Sequence, residues 1–458
     1  MPVQPPSPPP GCPAHQERVP IYGPDFAEDP ERVYQRLRAM GPVAPVELAP
    51  GIPASLVLSY DAVMEVMRSP DVFPRDPRPW QHTVPQDSPI LPLMAYRPNT
   101  MYSDGPQHTR VRTVVNDSLA RVPIDELRLE VEKITGLLIT QFGGIGHADL
   151  IDDYALAVPV LTFNWMFGCP PNFTERLIKG MKGIFDGIDP HRANAELTRT
   201  IGELLDLKRR RPGADLVTWL LTHPVGLTDQ ELTDEMTVLF GAGIEPQRNL
   251  IANGLRRLLS DDGFADNVTS GNVLVDQALD EVLWKDPPMA NFSASYPVQD
   301  VTLAGVPLPA AQPVVMSYAA ANADPALAGV QRVGNRAHLA WGVGPHTCPA
   351  QAQARLIASV AIERLLDSLP DMRLAVPADE LKWRPGPFHR ALASLPVRFT
   401  PIATPCPADH MSGDSRWTAS APTSSTPQAA TSTASSPDSP GKGQPAWWRS
   451  LVEWWRGR

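Results

Sequence analysis

One stretch of the chain, LTDQELTDEMTVLFGAGIEPQRNLIANGLRRLL, sets the scale of the fold. Leu232, Met236, Leu239, Gly243, Leu250, Gly254 and Leu258 recur in it at helical spacing. Thr228 and Glu231 stand three apart at its start, the pattern of a capping box. From Asp229 to Leu259 this predicts about 45 Å of helix, enough to cross a large domain. Pro246 sits inside it and is expected to kink the helix or break its hydrogen bonding locally.

A second helix is expected after Cys348, with Ile357, Ala361 and Leu365 on one face. Strand-like segments are short: SLVLSY, VTLAGVPLP and PVVMSY. The expected fold is therefore mostly α with small β-sheets. The chain has 458 residues, 43% hydrophobic and 20% charged, which are globular values. Its net charge of −10 argues against a nucleic-acid binder, which needs a basic face. Cys12, Cys169, Cys348 and Cys406 are scattered, so neither a disulfide framework nor a zinc site is expected, and a reducing, cytoplasmic setting fits. With no CxxCH, covalent haem attachment is excluded.

Composition shifts at both ends. Residues 1–16 read as a disordered, proline-rich leader without the apolar segment of a signal peptide or anchor. Residues 403–445 read as a disordered Ser/Thr/Pro linker, which leaves 17–402 as the folded part. The last residues, 446–458, place Trp447, Trp448, Leu451, Val452 and Trp455 on one helical face beside Arg449, Arg456 and Arg458. That tail suits a membrane surface or a protein partner's groove, and equally back-packing on the domain or a disordered end.

The chemistry concentrates in HLAWGVGPHTCPAQAQAR. Gly342 and Gly344 allow positive φ or close backbone approach to a flat ligand. Pro349 is favoured at a first helical position, which would put Cys348 at the N-cap. Unpaired N–H groups and the helix dipole there favour a thiolate. A thiolate so held is a strong axial ligand for haem iron, although a buried, inert cysteine is the plainer reading of the same residue. In SDGPQHTRVR, His108 and Arg112 lie four apart on one helical face and could clasp a carboxylate.

Together these motifs resemble the cytochrome P-450 family, in its soluble bacterial branch. Gly342, Gly344, His346, Cys348, Ala354 and Arg355 match that family's haem-binding signature, with Trp341 in place of Phe and Ala350 in place of Gly. PVVMSYAAANADP extends the match, so the resemblance covers most of 17–402. It implies haem b, with Cys348 on the iron and with His108, Arg112, Trp341 and His346 binding the cofactor. It further implies a small apolar substrate and electrons from a ferredoxin and its reductase, with Arg110, Arg112 and Arg355 as docking charges. Loops in the 80–100 and 165–200 regions would line the substrate pocket.

Three departures stand out. The family's [A/G]-G-x-[D/E]-T becomes Ala242, Gly243, Ile244, Glu245, Pro246, so the acid is kept and the hydroxyl is lost. Glu245 and Gln247 are the catalytic candidates left to deliver protons and place water, unless Glu245 merely sits near the kink. In DEVLWKDPP, Glu281 of the family's E-x-x-R is present and Trp284 replaces the arginine, so Arg332 or Arg336 is the replacement partner if Glu281 is not a plain surface carboxylate. Last, NFSASYP lacks the arginine that this strand usually brings to a haem propionate. The expected activity is a monooxygenase. Non-standard haem-thiolate chemistry, such as peroxide use or rearrangement, or a non-catalytic haem or ligand-binding subunit are the alternatives.

Overall fold

The structure is a computed structural model, and it describes residues 18–402. The segments expected to be a leader, a linker and an interaction tail lie outside the described residues. A five-stranded sheet flanks one side of the helices. β1 (Val19–Pro20) pairs parallel with β2 (Val43–Ala49), which turns back antiparallel on β3 (Ile52–Val57). The later strands β4 (Asn291–Ser295) and β5 (Val314–Ser317) complete it in the order β1-β2-β3-β5-β4. The register of β4 on β5 shifts between Phe292 and Ser295, and Ser293 inside the shift has φ 60°. This bulge re-aims the backbone of β4. VTLAGVPLP forms the hairpin Val301–Leu303 and Val306–Leu308.

Between β3 and β4 the chain is mostly helical. α1 (Gly105–Ala120), α2 (Ile124–Phe142), α3 (Ala157–Phe167), α4 (Pro171–Phe185) and α5 (Pro190–Arg210) precede α6 (Asp229–Ser260), the long helix. α7 (Val275–Lys285) leads into the sheet, and α8 (Gln351–Ser368) follows the cysteine loop. α6 has 32 residues, about 48 Å. Its capping box forms: Glu231 N–H donates to Thr228 Oγ1 at 3.2 Å, and Thr228 N–H to Glu231 Oε2 at 2.9 Å. Phe240, Leu250, Ile251, Ala252 and Leu255 are fully buried in the helical core. At Gly254 a Cβ would lie 2.8 Å from Ile362 Cδ1, so the glycine sets how closely α6 approaches α8.

As expected, Pro246 interrupts the hydrogen bonding of α6 locally, and the helix runs on through it. It removes only the N–H that would bond the carbonyl of Ala242. Burial on the flanking turns holds the helix through that gap.

The altered E-x-x-R segment lies at the junction of α7 with the sheet. Neither Arg332 nor Arg336 reaches Glu281. Its carboxylate bonds Arg257 of α6 and Lys285, both at 2.7 Å. Arg336 pairs instead with Asp276, and Arg332 lies over the Trp284 ring. Trp284 is 2% exposed and donates its indole N–H to Asn335 O at 2.8 Å. An apolar ring with one hydrogen bond thus fills the place of an ion pair, an exchange of little net cost when the packing is good. Arg355, expected on the docking face, is buried. It donates to Asp276 Oδ1 at 3.0 Å and also binds Asp280.

Truncation of Trp284 to Ala is expected to cost about 3–5 kcal/mol in urea unfolding, because it leaves a cavity and an orphaned carbonyl. Trp284→Arg, which restores the family residue, should also lower the midpoint, since Glu281 already has partners. An unchanged midpoint in both variants contradicts this account.

Candidate functional site

A single cavity joins the sheet edge, α1, α3, α4, α6 and the cysteine loop. It encloses about 2270 Å³ with its open mouth included. Leu93, Phe163, Phe167, Met181, Ile184 and Leu239 make part of its apolar wall, so segments in both expected loop regions reach it. At Gly243 a Cβ would fall 2.1 Å from Phe163 Cζ, so only glycine lets that ring stack on α6.

Cys348 lies at the cavity floor, half-buried. Gly342 and Gly344 have φ 67° and 73°, and a Cβ on Gly344 would strike Met67 O at 2.5 Å. The close approach these glycines permit is therefore to the segment at Met67 of this chain. Cys348 N–H donates to Trp341 O at 2.8 Å, and Trp341 lines the cavity beside it. The N-cap of α8 is Ala350, two residues later than expected, because the turn at 348–350 aims the Ala350 N–H back at the sulfur. The balance at the thiol also differs from expectation. Burial pushes it up, against the Ala350 N–H and the Arg112 charge. Its thiolate therefore needs a metal cation in addition to the loop.

At one end of the floor, groups that bind anions converge. His346 Nε2 is 3.0 Å from Asp104 Oδ1, and the His108 and His346 rings are 4.2 Å apart. His108 is buried and its Nε2 has no partner. Burial, helped by His346 and Arg112, pushes its imidazole down to about 4, so it is neutral at pH 7. Arg112 donates to Thr347 O and, at 3.1 Å, to Asn116 Oδ1. The expected quartet of His108, Arg112, His346 and Cys348 is thus brought together.

Two cavity residues escaped the sequence reading. Arg75 is 4% exposed and donates to the carbonyls of Ser293 at 2.5 Å and Ala294 at 3.3 Å. Glu235 is buried on α6 and accepts from Thr100 N–H and Oγ1–H, each at 2.8 Å. Burial pushes its carboxyl up to about 7. Glu235 stands two residues before Thr237 in an amphipathic run, where an acid reads as a solvated face; only the packing reveals it.

Of the two catalytic candidates, Gln247 lines the cavity with Pro246 and Ala242, and donates to Ala354 O at 3.0 Å. Glu245 is not on the cavity wall. It bonds Arg384, which also holds Asp186, and lies 3.5 Å from Arg248. Against the upward push of burial, these two guanidiniums hold its carboxyl down at about 2. It is therefore ionised at neutral pH and has no proton to give while the cluster stays closed.

No family model matches the chain. It is 32% identical over 393 residues to cytochrome P450 monooxygenase PikC of Streptomyces venezuelae, covering 82% of this chain and 92% of that one. It is 30% identical over 398 residues to vitamin D(3) 25-hydroxylase of Pseudonocardia autotrophica, covering 84% and 97%. Among solved structures, the tirandamycin C-bound P450 monooxygenase TamI matches with a TM-score of 0.75 at 29% identity, over 83% of this chain and 100% of that one. The chain belongs to the cytochrome P450 family. It is an oxidoreductase of the monooxygenase type, and its cofactor is haem b. The residues present fit that group: a thiol on the cavity floor, an orphaned His108 nitrogen and cationic side chains beside it.

Glu235 gives stability a pH dependence of defined sign. Its folded value of about 7 lies above the ordinary carboxyl value of 4.5, so unfolding releases a proton between them. Stability therefore falls as pH rises through that window, by up to about 3 kcal/mol. Glu235→Gln keeps an acceptor for Thr100 and is expected to flatten this slope in thermal unfolding between pH 4.5 and 7.5. Parallel profiles for the two proteins would count against it.

Proposed function

We propose that this enzyme inserts one oxygen atom of dioxygen into an apolar small molecule held above Cys348, with electrons from a ferredoxin and its reductase. The carrying observation is the cavity itself, with Cys348 Sγ at its floor and aromatic and aliphatic side chains on its wall. A haem b held by a thiolate supplies dioxygen chemistry at its iron. In this reading Cys348 would hold the iron, with the Ala350 N–H as the sulfur's donor and Trp341 beside it on the cavity wall. His108 Nε2, Arg112 and His346 take the cofactor's carboxylates, and Asp104 orients His346.

On the opposite wall, Pro246 leaves the Ala242 carbonyl without its helical donor, so that oxygen can accept from a water or a substrate hydroxyl. Gln247 positions such a water with the amide hydrogen that Ala354 leaves free. Glu245 serves first as the counter-ion that ties α6 to Arg384 and Arg248, and proton delivery through it requires that cluster to open. For the redox partner, Arg110 and Arg112 remain as docking charges, with Arg110 tied to Glu231 and Arg355 buried. We also place the enzyme in the cytoplasm on its scattered cysteines. No helix among the described residues is long and apolar enough to cross a membrane.

The missing hydroxyl at Pro246 favours a second reading, in which peroxide serves as oxidant or the substrate rearranges. Turnover with a ferredoxin system against peroxide alone separates the two: faster product formation with the ferredoxin supports the first. The reduced carbon monoxide adduct is expected to show a thiolate-type Soret band that Cys348→Ala loses. The double variant His108→Ala, Arg112→Ala is expected to lower haem occupancy, and full occupancy would refute the carboxylate-binding role of that pair.

A further inference from the structure

We infer that Arg75 is an additional anchor for a haem carboxylate, supplying from the segment before α1 the guanidinium that β4 lacks. The inference rests on the haem-thiolate reading of the cavity.

Three observations meet at Arg75. First, its guanidinium is buried on the cavity wall, and its side-chain bonds go to the Ser293 and Ala294 carbonyls and to no carboxylate. The nearby acid, Asp104, accepts from the Arg75 backbone N–H at 2.6 Å instead. The Asp104 charge acts on it only through space, and a buried cation with no carboxylate bonded to it is costly. Burial accordingly pushes this guanidinium below its ordinary range. A carboxylate entering the cavity would complete the pair.

Second, β4 is shaped around this side chain. Ser293 takes φ 60° although it is not glycine, at the point where the register on β5 shifts. A non-glycine residue in that region persists only when its surroundings hold it there. Tyr318 O–H does so, donating to Ser293 Oγ at 2.6 Å. The result is two successive carbonyls on one guanidinium, in the strand where NFSASYP offers no arginine of its own.

Third, Asp104 couples Arg75 to the histidines. One of its oxygens accepts from the Arg75 backbone, and the other meets His346 Nε2. Arg75 and His346 therefore share one end of the cavity floor, and His108, its ring 4.2 Å from that of His346, still has a nitrogen to satisfy. The ligand chemistry is a carboxylate. Haem carries two, and they must be neutralised wherever the macrocycle sits over Cys348. A carboxylate on the substrate is the competing source.

The test measures haem transfer from the holoenzyme to excess apomyoglobin, in the absence of substrate, for the natural chain and Arg75→Gln. Both are also reconstituted with haem dimethyl ester, whose side arms carry no charge. Arg75→Gln should release ordinary haem roughly tenfold faster or more, the loss of one charge-assisted hydrogen bond. With the ester the two proteins should release alike. A gap of the same size for both haems overturns the proposal and makes Arg75 a packing residue of β4. No gap with either haem, accompanied by loss of a myristic acid-induced spin shift in Arg75→Gln, overturns it in favour of a substrate carboxylate. Should Arg75→Gln fail to fold, Arg75→Lys keeps the charge and loses the fork, and the same contrast between haem and ester is expected. A natural chain whose reduced carbon monoxide adduct lacks the thiolate-type band overturns both this inference and the reading beneath it; a thiolate band without a release gap overturns this one alone.

Discussion

The molecule is organised by the need to satisfy a central helix that is buried yet strongly polar. α6 carries Asp234, Glu235, Glu245, Gln247, Asn253 and Arg257 into the interior, and each must find a partner or cost several kcal/mol. Each has at least one partner on another segment of the chain. Asp234 holds Arg97, Glu235 holds Thr100, Glu245 holds Arg384, and Gln247 holds the start of α8. Asn253 donates to the carbonyls of Asp286 and Arg390, and Arg257 to Glu281. The helix is thus a spine to which the cavity walls are separately fastened. Its apolar residues supply the burial, and its polar ones decide which segment docks where.

The same spine divides the electrostatics of the cavity. Arg75, Arg112, His108 and His346 gather at one end, around Asp104 and the cysteine loop. Off the cavity wall, Glu245, Asp186, Arg248 and Arg384 neutralise one another. The rest of the wall is mostly apolar, with Thr100, Thr237 and Gln247 as polar residues on it.

How much of this the sequence carried depends on the range of each signal. Helical spacing and a capping box are local, so α6 was readable to within a residue at its end. The spacing of His108 and Arg112 on one helix is local too. The family signature grouped these with Cys348 and His346 across the chain, and the structure brings them together. What escaped is set by contacts distant in sequence. Arg75 sits between two prolines in a loop, and only the bulge in β4, more than two hundred residues later, gives it a task. Glu245 has the right residue type at the right position, yet Arg384 turns it outward. The partner of Glu281 was sought in the nearby loop, and it came from α6. The upward push of burial on the Cys348 thiol is not legible because a helix start is visible in sequence and the depth of burial around it is not.

Trp284 has a consequence for how freely this chain can change. A carboxylate braced by two arginines constrains three positions at once, because losing any one strands the charges of the others. The indole asks only for an apolar slot and one carbonyl, here the backbone oxygen of Asn335. The loop before the cysteine is thereby released from carrying an arginine at a set place. It can shorten or drift in sequence while α7 stays anchored.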